Sequence, residues 1–246
     1  MSAFETRLDH LDWADIGRQM DVEGYAVLPG LLGRDEARDL ARQVSAIGLH
    51  RATLASSGLG RGELFYFDAG LPAPLARWRA ALYRRLVVIA NRWNETLGVG
   101  HRYPAAFEAF LQCNREAGQT RAQSHLNRLI EDDHLALHQR NDGEQVFPTQ
   151  IVAVLSEPGV DFQGGEFVMT EQRPRMQSRP VVLPLKLGDL AVIATAERPF
   201  KGARGYYRVN LKHAVSRVRQ GERIGLELSF HDAPRNGPGA AHDGIG

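Results

Sequence analysis

Cysteine is almost absent from this 246-residue chain, where Cys113 stands alone. One thiol excludes an intramolecular disulfide, a multi-cysteine zinc site and an iron–sulfur cluster. Long apolar runs are missing too: no uncharged stretch approaches the roughly 20 residues that span a bilayer. Charges in the first ten residues, Met1 to His10, fall where a secretory leader needs its apolar segment. Together these absences predict a reduced, soluble, cytoplasmic protein with no membrane partner. At 43% hydrophobic and 24% charged residues, the composition is globular and excludes wholly disordered or low-complexity readings.

Net charge is also nearly absent, at +1, but the balance is uneven. Arg173 to Arg223 holds 12 Lys/Arg against 3 Asp/Glu, while the rest holds 18 basic and 26 acidic residues. A basic block in a near-neutral chain suits an anionic partner: a carboxylate cosubstrate, a phosphate or nucleic acid. A solvated basic face explains the same pattern.

The first 120 residues read as mostly helical. Ala37, Leu40, Ala41 and Val44 share one face of a helix over Arg34–Val44, with Asp35 and Glu36 in its first turn. Gly24 to Gly30 reads as a short strand. Leu75, Trp78, Leu82, Leu86, Ile89 and Trp93 recur at helical spacing, so a long helix is expected over 74–97, stopped by Gly98. A shorter helix follows Pro104. Trp78, Trp93 and Cys113 are expected in the core, and Phe65, Tyr66 and Phe67 either line a cleft or pack.

Beyond residue 120 short β-rich runs take over: Val146–Leu155, Glu166–Thr170, Val181–Leu187, Leu190–Thr195, Tyr206–His213 and Ile224–His231. Gly- and Pro-containing turns separate them, which predicts an antiparallel sandwich or barrel rather than βαβ units. The expected organisation is one domain over 1–232, mainly β with N-terminal helices. Residues 121–232 form its β core, and 233–246 a flexible tail.

His138 lies just before the first long run and His213 closes the Tyr206–His213 run. Two imidazoles on one inner face, with a carboxylate, form the facial triad of non-haem Fe(II) sites. Hydrogen-bonded structural histidines are the competing reading. Arg223 opens the next run after the turn at Gly221 and would suit bidentate pairing with a dicarboxylate. Gly58-Leu-Gly-Arg-Gly62 lacks the Lys-Ser/Thr ending of a phosphate loop and reads as a mobile loop able to cover a barrel mouth. Glu166 and Glu171 have no partnered nucleophile and carry little as an acid/base pair.

The spacing His213-x-Val-x-x-Val-x-x-Gly-x-Arg223 resembles the distal motif of Fe(II)/2-oxoglutarate oxygenases of the prolyl-hydroxylase type. Phe147-Pro-Thr-Gln, Leu155-Ser-Glu-Pro-Gly, the run from Gly164 to Arg179 and Tyr207-Arg-Val-Asn resemble, more narrowly, a bacterial oxygenase family proposed to act on damaged nucleic acid. The resemblance covers about Gly58 to Ala233. It implies a double-stranded β-helix (jelly-roll, cupin-like) and a dioxygenase that couples 2-oxoglutarate decarboxylation to C–H oxidation. It also implies Fe(II) held by His138 and His213, 2-oxoglutarate held by Arg223, and no catalytic side chain beyond the metal ligands.

One departure stands out. Where the family reads His-x-Asp, this chain reads His138-Gln139-Arg140, and an expected upstream tyrosine is Leu129. A permanently charged guanidinium repels a cation and offers it no lone pair. Three accounts stay open: Asp142 supplies the third ligand from the Asn141-Asp142-Gly143 loop; iron binds through two histidines and an exogenous ligand; or the scaffold has lost iron and binds an anion or nucleic acid.

Overall fold

The computed structural model describes residues 3–45 and 49–235. Helices α1 (Ala3–Asp9) and α2 (Trp13–Glu23) open the chain. Asp12 caps α2 by accepting from the backbone N–H groups of Ala14 and Asp15, and Gly24 ends it at φ 76°. Strand β1 (Tyr25–Leu28) follows, then α3 (Arg34–Arg42). Strands β2 (His50–Thr53), β3 (Gly60–Arg61) and β4 (Glu63–Tyr66) precede the long helix α4 (Ala73–Thr96) and then α5 (Phe107–Glu116).

The apolar spacing read from the sequence is the buried face of α4: Leu75, Leu82 and Leu86 are fully buried, and Gly98 follows the helix at φ 67°. Each such side chain contributes roughly 1.5–3 kcal/mol by leaving water. Trp78 stacks on Phe4 of α1 with centroids 4.6 Å apart, and Tyr83 packs among Phe107, Phe110 and Phe147. Cys113 is only half-buried, on the edge of α5 rather than in the core.

The remainder is β: β5 (Gln119–Arg121), β6 (His125–Leu129), β7 (His134–His138), β8 (Thr149–Val154), β9 (Phe162–Gly164) and β10 (Phe167–Gln172). Then come β11 (Arg179–Leu183), β12 (Leu190–Ala194), β13 (Glu197–Gly202), β14 (Gly205–Val215), β15 (Val218–Gly221), β16 (Arg223–Leu228) and β17 (Ala233–Pro234). One sheet has the order β1-β12-β8-β16-β6-β4-β2, and a second runs β11-β10-β14-β7-β3 with β13 also on β14. Every named ladder is antiparallel, and the two sheets form a jelly-roll sandwich with helices packed around it. Strands β8, β12 and β16 are buried on both faces, which explains their nearly continuous apolar runs.

Three expectations shift. The N-terminal part holds more strand than expected: β1 lies where a strand was read over Gly24 to Gly30, and β2 and β4 extend the first sheet as well. The segment expected to be a mobile loop is tied down, since Gly60 and Arg61 pair with Leu135 and His134 of β7. The expected tail begins as structure: Ala233 is buried and pairs with Arg121, whereas 236–246 lie outside the described residues.

Candidate metal centre

His213 sits on β14 directly opposite His138 on β7, and their rings lie 4.1 Å apart between centroids. Strict alternation would not place His138 there. Leu135 pairs with Val215 and His138 with His213, so β7 spends three residues where β14 spends two. This bulge lets both Leu135 and His138 point inward while Leu137 turns out to solvent. It also sets the tautomer. His138 Nδ1 lies 3.0 Å from the Ala136 carbonyl, to which it donates, leaving Nε2 with a free lone pair aimed inward.

The carboxylate comes from the other sheet. Arg223, Gly225 and Glu227 alternate along one face of β16. Glu227 Oε2 lies 4.0 Å from His138 Nε2 and 3.7 Å from His213 Nε2. Among the described residues, His138, His213 and Glu227 are the group whose ligand atoms converge, all within 4.8 Å. Asp142 does not join them. The chain leaves β7 with Gln139 donating to the Ala196 and Leu211 carbonyls, and Arg140 turns inward. Asp142 therefore falls on the rim of a cleft of about 200 Å³, with Ser57, Leu59, Tyr66 and His138 in its walls.

Arg140 stands beside the carboxylate, its Nε 3.3 Å from Glu227 Oε2, and shares the wall of the cleft with Tyr66. His125 completes the surroundings, fully buried, 3.8 Å from Glu227 Oε2 and paired with Glu227 in register. Burial alone would raise the Glu227 carboxyl, but His125, Arg140 and His213 outweigh it and hold the group well below the carboxylate range. Burial, then His213 and Arg140, push His138 well down against the pull of Glu227, and burial takes His125 to about 4. At neutral pH the centre thus presents an ionised carboxylate and a neutral His138, the protonation states a metal requires.

Does this set fit a metal? Three of its atoms, His138 Nε2, His213 Nδ1 and Glu227 Oε1, are buried with no hydrogen-bond partner among the described residues. Buried polar atoms are rarely left so. Two imidazoles and a carboxylate converging from facing sheets, with His138 Nε2 bare and His213 Nε2 met by Gln150 Nε2 at 3.2 Å, fit a two-histidine, one-carboxylate metal site.

Arg223 is also buried, donating from Nε to the Gly165 carbonyl at 2.8 Å and from Nη1 to Asn127 Oδ1 at 3.1 Å. Burial lowers it to about 10, so it stays cationic at neutral pH. Its guanidinium folds back over Gly225, where an added Cβ would stand 2.8 Å from Nη1 and 2.7 Å from Asn127 Oδ1. Leu129 pairs with Arg223. A larger, mainly apolar cavity of about 840 Å³ has Gly165 and Phe167 in its wall, and Phe167 stacks on His213 at 5.8 Å. Glu171, by contrast, is consumed in buried ion pairing with Arg198 and Arg173.

Glu227 was not singled out in the sequence, although a signal existed. An acidic residue inside Ile224-Gly-Leu-Glu-Leu228, in phase with Arg223, marks an ionisable group on the buried face of an apolar strand. His125, in a run interrupted by Asn127 and Arg128, carried no comparable signal.

Fold and centre define a double-stranded β-helix protein with a two-histidine, one-carboxylate constellation. Residues 62–233 match the family described as "Oxygenase, catalysing oxidative methylation of damaged DNA", and the chain belongs to that family. Two uncharacterized proteins of Mycobacterium tuberculosis, from strains CDC 1551 / Oshkosh and H37Rv, are 40% identical over 173 residues, 70% of this chain and 74% of theirs. Among solved structures, a Pseudomonas putida prolyl-4-hydroxylase aligns with TM-score 0.54 at 16% identity, covering 89% of this chain and 98% of its own. A Burkholderia pseudomallei 2OG-Fe(II) oxygenase family protein aligns at 0.55 and 17%, covering 93% and 96%. A Trichoplax adhaerens prolyl hydroxylase aligns at 0.57 and 13%, covering 94% of each chain. The family is one of oxygenases, and the solved structures share the fold. No described helix is long and apolar enough to cross a membrane.

Proposed function

We propose that this protein is an Fe(II)/2-oxoglutarate-dependent dioxygenase in which Glu227, rather than Asp142, joins His138 and His213 as metal ligands. The observation that carries the reading is the convergence of these three groups with unpartnered buried atoms. Bound iron and 2-oxoglutarate would supply C–H oxidation, with O₂ consumed and 2-oxoglutarate converted to succinate and CO₂.

The chain's own residues do the positioning. Arg223, oriented by Gly165 and Asn127, receives the far carboxylate of 2-oxoglutarate as a charge-assisted pair. Gly225 leaves the floor between Arg223 and Glu227 free of a side chain. Ala136 fixes the His138 tautomer, and Phe167 packs against the His213 ring. The cleft beside His138 and Arg140 admits the substrate, for which the family description supports a base in damaged nucleic acid.

Arg140 favours a second reading, because a cation already neutralises Glu227. There the scaffold holds no iron and binds an anion. Anaerobic titration with Fe(II) and 2-oxoglutarate separates the two through the weak visible charge-transfer band of the chelate. The band is expected in the wild type and in Asp142→Asn, and lost in Glu227→Gln. No band at millimolar concentrations would discard the oxygenase reading, and a band surviving Glu227→Gln would discard the ligand assignment.

A further inference from the structure

Much of the basic block read from the sequence gathers at one end of the second sheet, the end at which the cleft opens. The register shows why. Following β14 backwards from His213, β7 ends at His138, and β10 ends at Gln172 opposite Asn210. The chain leaving β7 runs through Arg140 to Asp142 on the cleft rim. The β10–β11 loop, residues 173–178, leaves from the same end. So does the β13–β14 hairpin, whose turn at Gly202 and Gly205 lies eight residues from His213, roughly 27 Å along a strand.

Loop and hairpin are fastened together. Arg173 bonds Glu171 and lies over the Phe200 ring, 4.0 Å from its centroid. Around this fastening Arg175, Lys201 and Arg204 are exposed, with Lys212 farther along β14 on the same face as Lys201, and no carboxylate pairs with any of them among the described residues. Arg208, in contrast, has Glu197 at 3.3 Å. Beside Lys201 in register stands Tyr206, 52% exposed, an unusual position for a large ring on a charged wing.

We infer that this wing is the docking surface for the phosphate backbone of a single-stranded nucleic acid, with Tyr206 as a stacking platform for an unpaired base. Unpartnered cations spaced along a hairpin and a loop complement a polyanion. The exposed ring selects the single strand, since paired bases hide their faces from it. A base also reaches a buried centre only when it is out of a duplex. The inference rests on the nucleic-acid reading of the substrate but not on the metal centre.

The test is fluorescence anisotropy of the full chain, without metal, on a labelled single-stranded oligodeoxynucleotide between 50 and 200 mM salt. At about −0.7 per phosphate contact, four contacts give a log–log salt slope near −2.8, and Arg175→Ala/Lys201→Ala/Arg204→Ala should flatten it by about 2 and weaken binding at least about tenfold. Tyr206→Ala should weaken binding and leave the slope unchanged. The triple variant should keep the wild-type Fe(II)–2-oxoglutarate band, which separates failure here from failure of the oxygenase reading. Salt-independent binding, equal affinity in the triple variant, tighter binding of the matching duplex, or equal competition by polyglutamate would each overturn the inference.

Discussion

Replacing Arg140 with glutamine tests how the centre is balanced when no metal is bound. Arg140 Nε lies 3.3 Å from Glu227 Oε2 and its side chain is only 12% exposed. At an effective dielectric constant of about 20, that separation corresponds to an attraction of about 5 kcal/mol before desolvation is counted. Removing one partner of such a pair costs roughly 3–5 kcal/mol, because the other charge stays buried. His125 and His213 stand within 4 Å of the same carboxylate and remain beside it in the variant, which places the expected loss near the lower figure. For a chain of this size about 3 kcal/mol lowers Tm by roughly 6–12 °C. A divalent cation should restore the loss, since Glu227 is then free to bind it. We expect Arg140→Gln to bind Mn(II), a redox-quiet stand-in, at least about tenfold more tightly, or ~1.4 kcal/mol. Differential scanning calorimetry with and without Mn(II), and isothermal titration, measure both effects. An unchanged metal-free Tm together with unchanged Mn(II) affinity would refute the idea that Arg140 substitutes for the ion's charge.

Gly225→Ala should interfere with 2-oxoglutarate more than with metal. Its Cβ would meet Arg223 Nη1 at 2.8 Å and push the guanidinium from its seat, at a cost of roughly 1–3 kcal/mol in stability. The expected result is a several-fold weaker 2-oxoglutarate dependence of the chelate band with Mn(II) affinity preserved; an unaltered 2-oxoglutarate titration would count against Arg223 as its partner. Stability should also fall in mild acid. Burial lowers both His125 and His231 to about 4 from an ordinary 6.5, so the unfolded chain binds up to two more protons between those values. Unfolding free energy should thus be level with respect to these groups above pH 6.5 and decline toward pH 4, by up to ~2.7 kcal/mol per unit. Urea denaturation across that range checks this, and a flat profile would show that the two imidazoles charge without cost.

What the sequence revealed depended on periodicity. The spacing from Leu75 to Trp93 marked α4 within a residue at each end, and apolar runs with turn residues marked β8, β12, β14 and β16. β7 escaped because a bulge breaks its alternation, and β13 because Pro199 interrupts it. The same limits governed the centre. Imidazoles at the ends of β-rich runs pointed to His138 and His213, and the turn at Gly221 pointed to Arg223. The third group was sought near His138 along the chain, whereas the carboxylate that stands beside both histidines, Glu227, lies across the sandwich on β16, brought there by sheet-to-sheet packing that no local window contains. Asp142 was attractive through proximity in sequence, but Arg140 takes the inward direction and leaves Asp142 at the rim.

Strand β14 carries His213 and the outward cations Arg208 and Lys212 on one continuous strand. His213, Leu211 and Val209 face the interior while Lys212, Asn210 and Arg208 face outward. A single-residue insertion or deletion between Arg208 and His213 would exchange those faces, sending a lysine toward the carboxylate and an imidazole into water. Lengthening the hairpin at its glycine-bounded tip changes neither. Variation in hairpin length is therefore compatible with an intact centre, whereas the spacing from Arg208 to His213 admits only changes in steps of two.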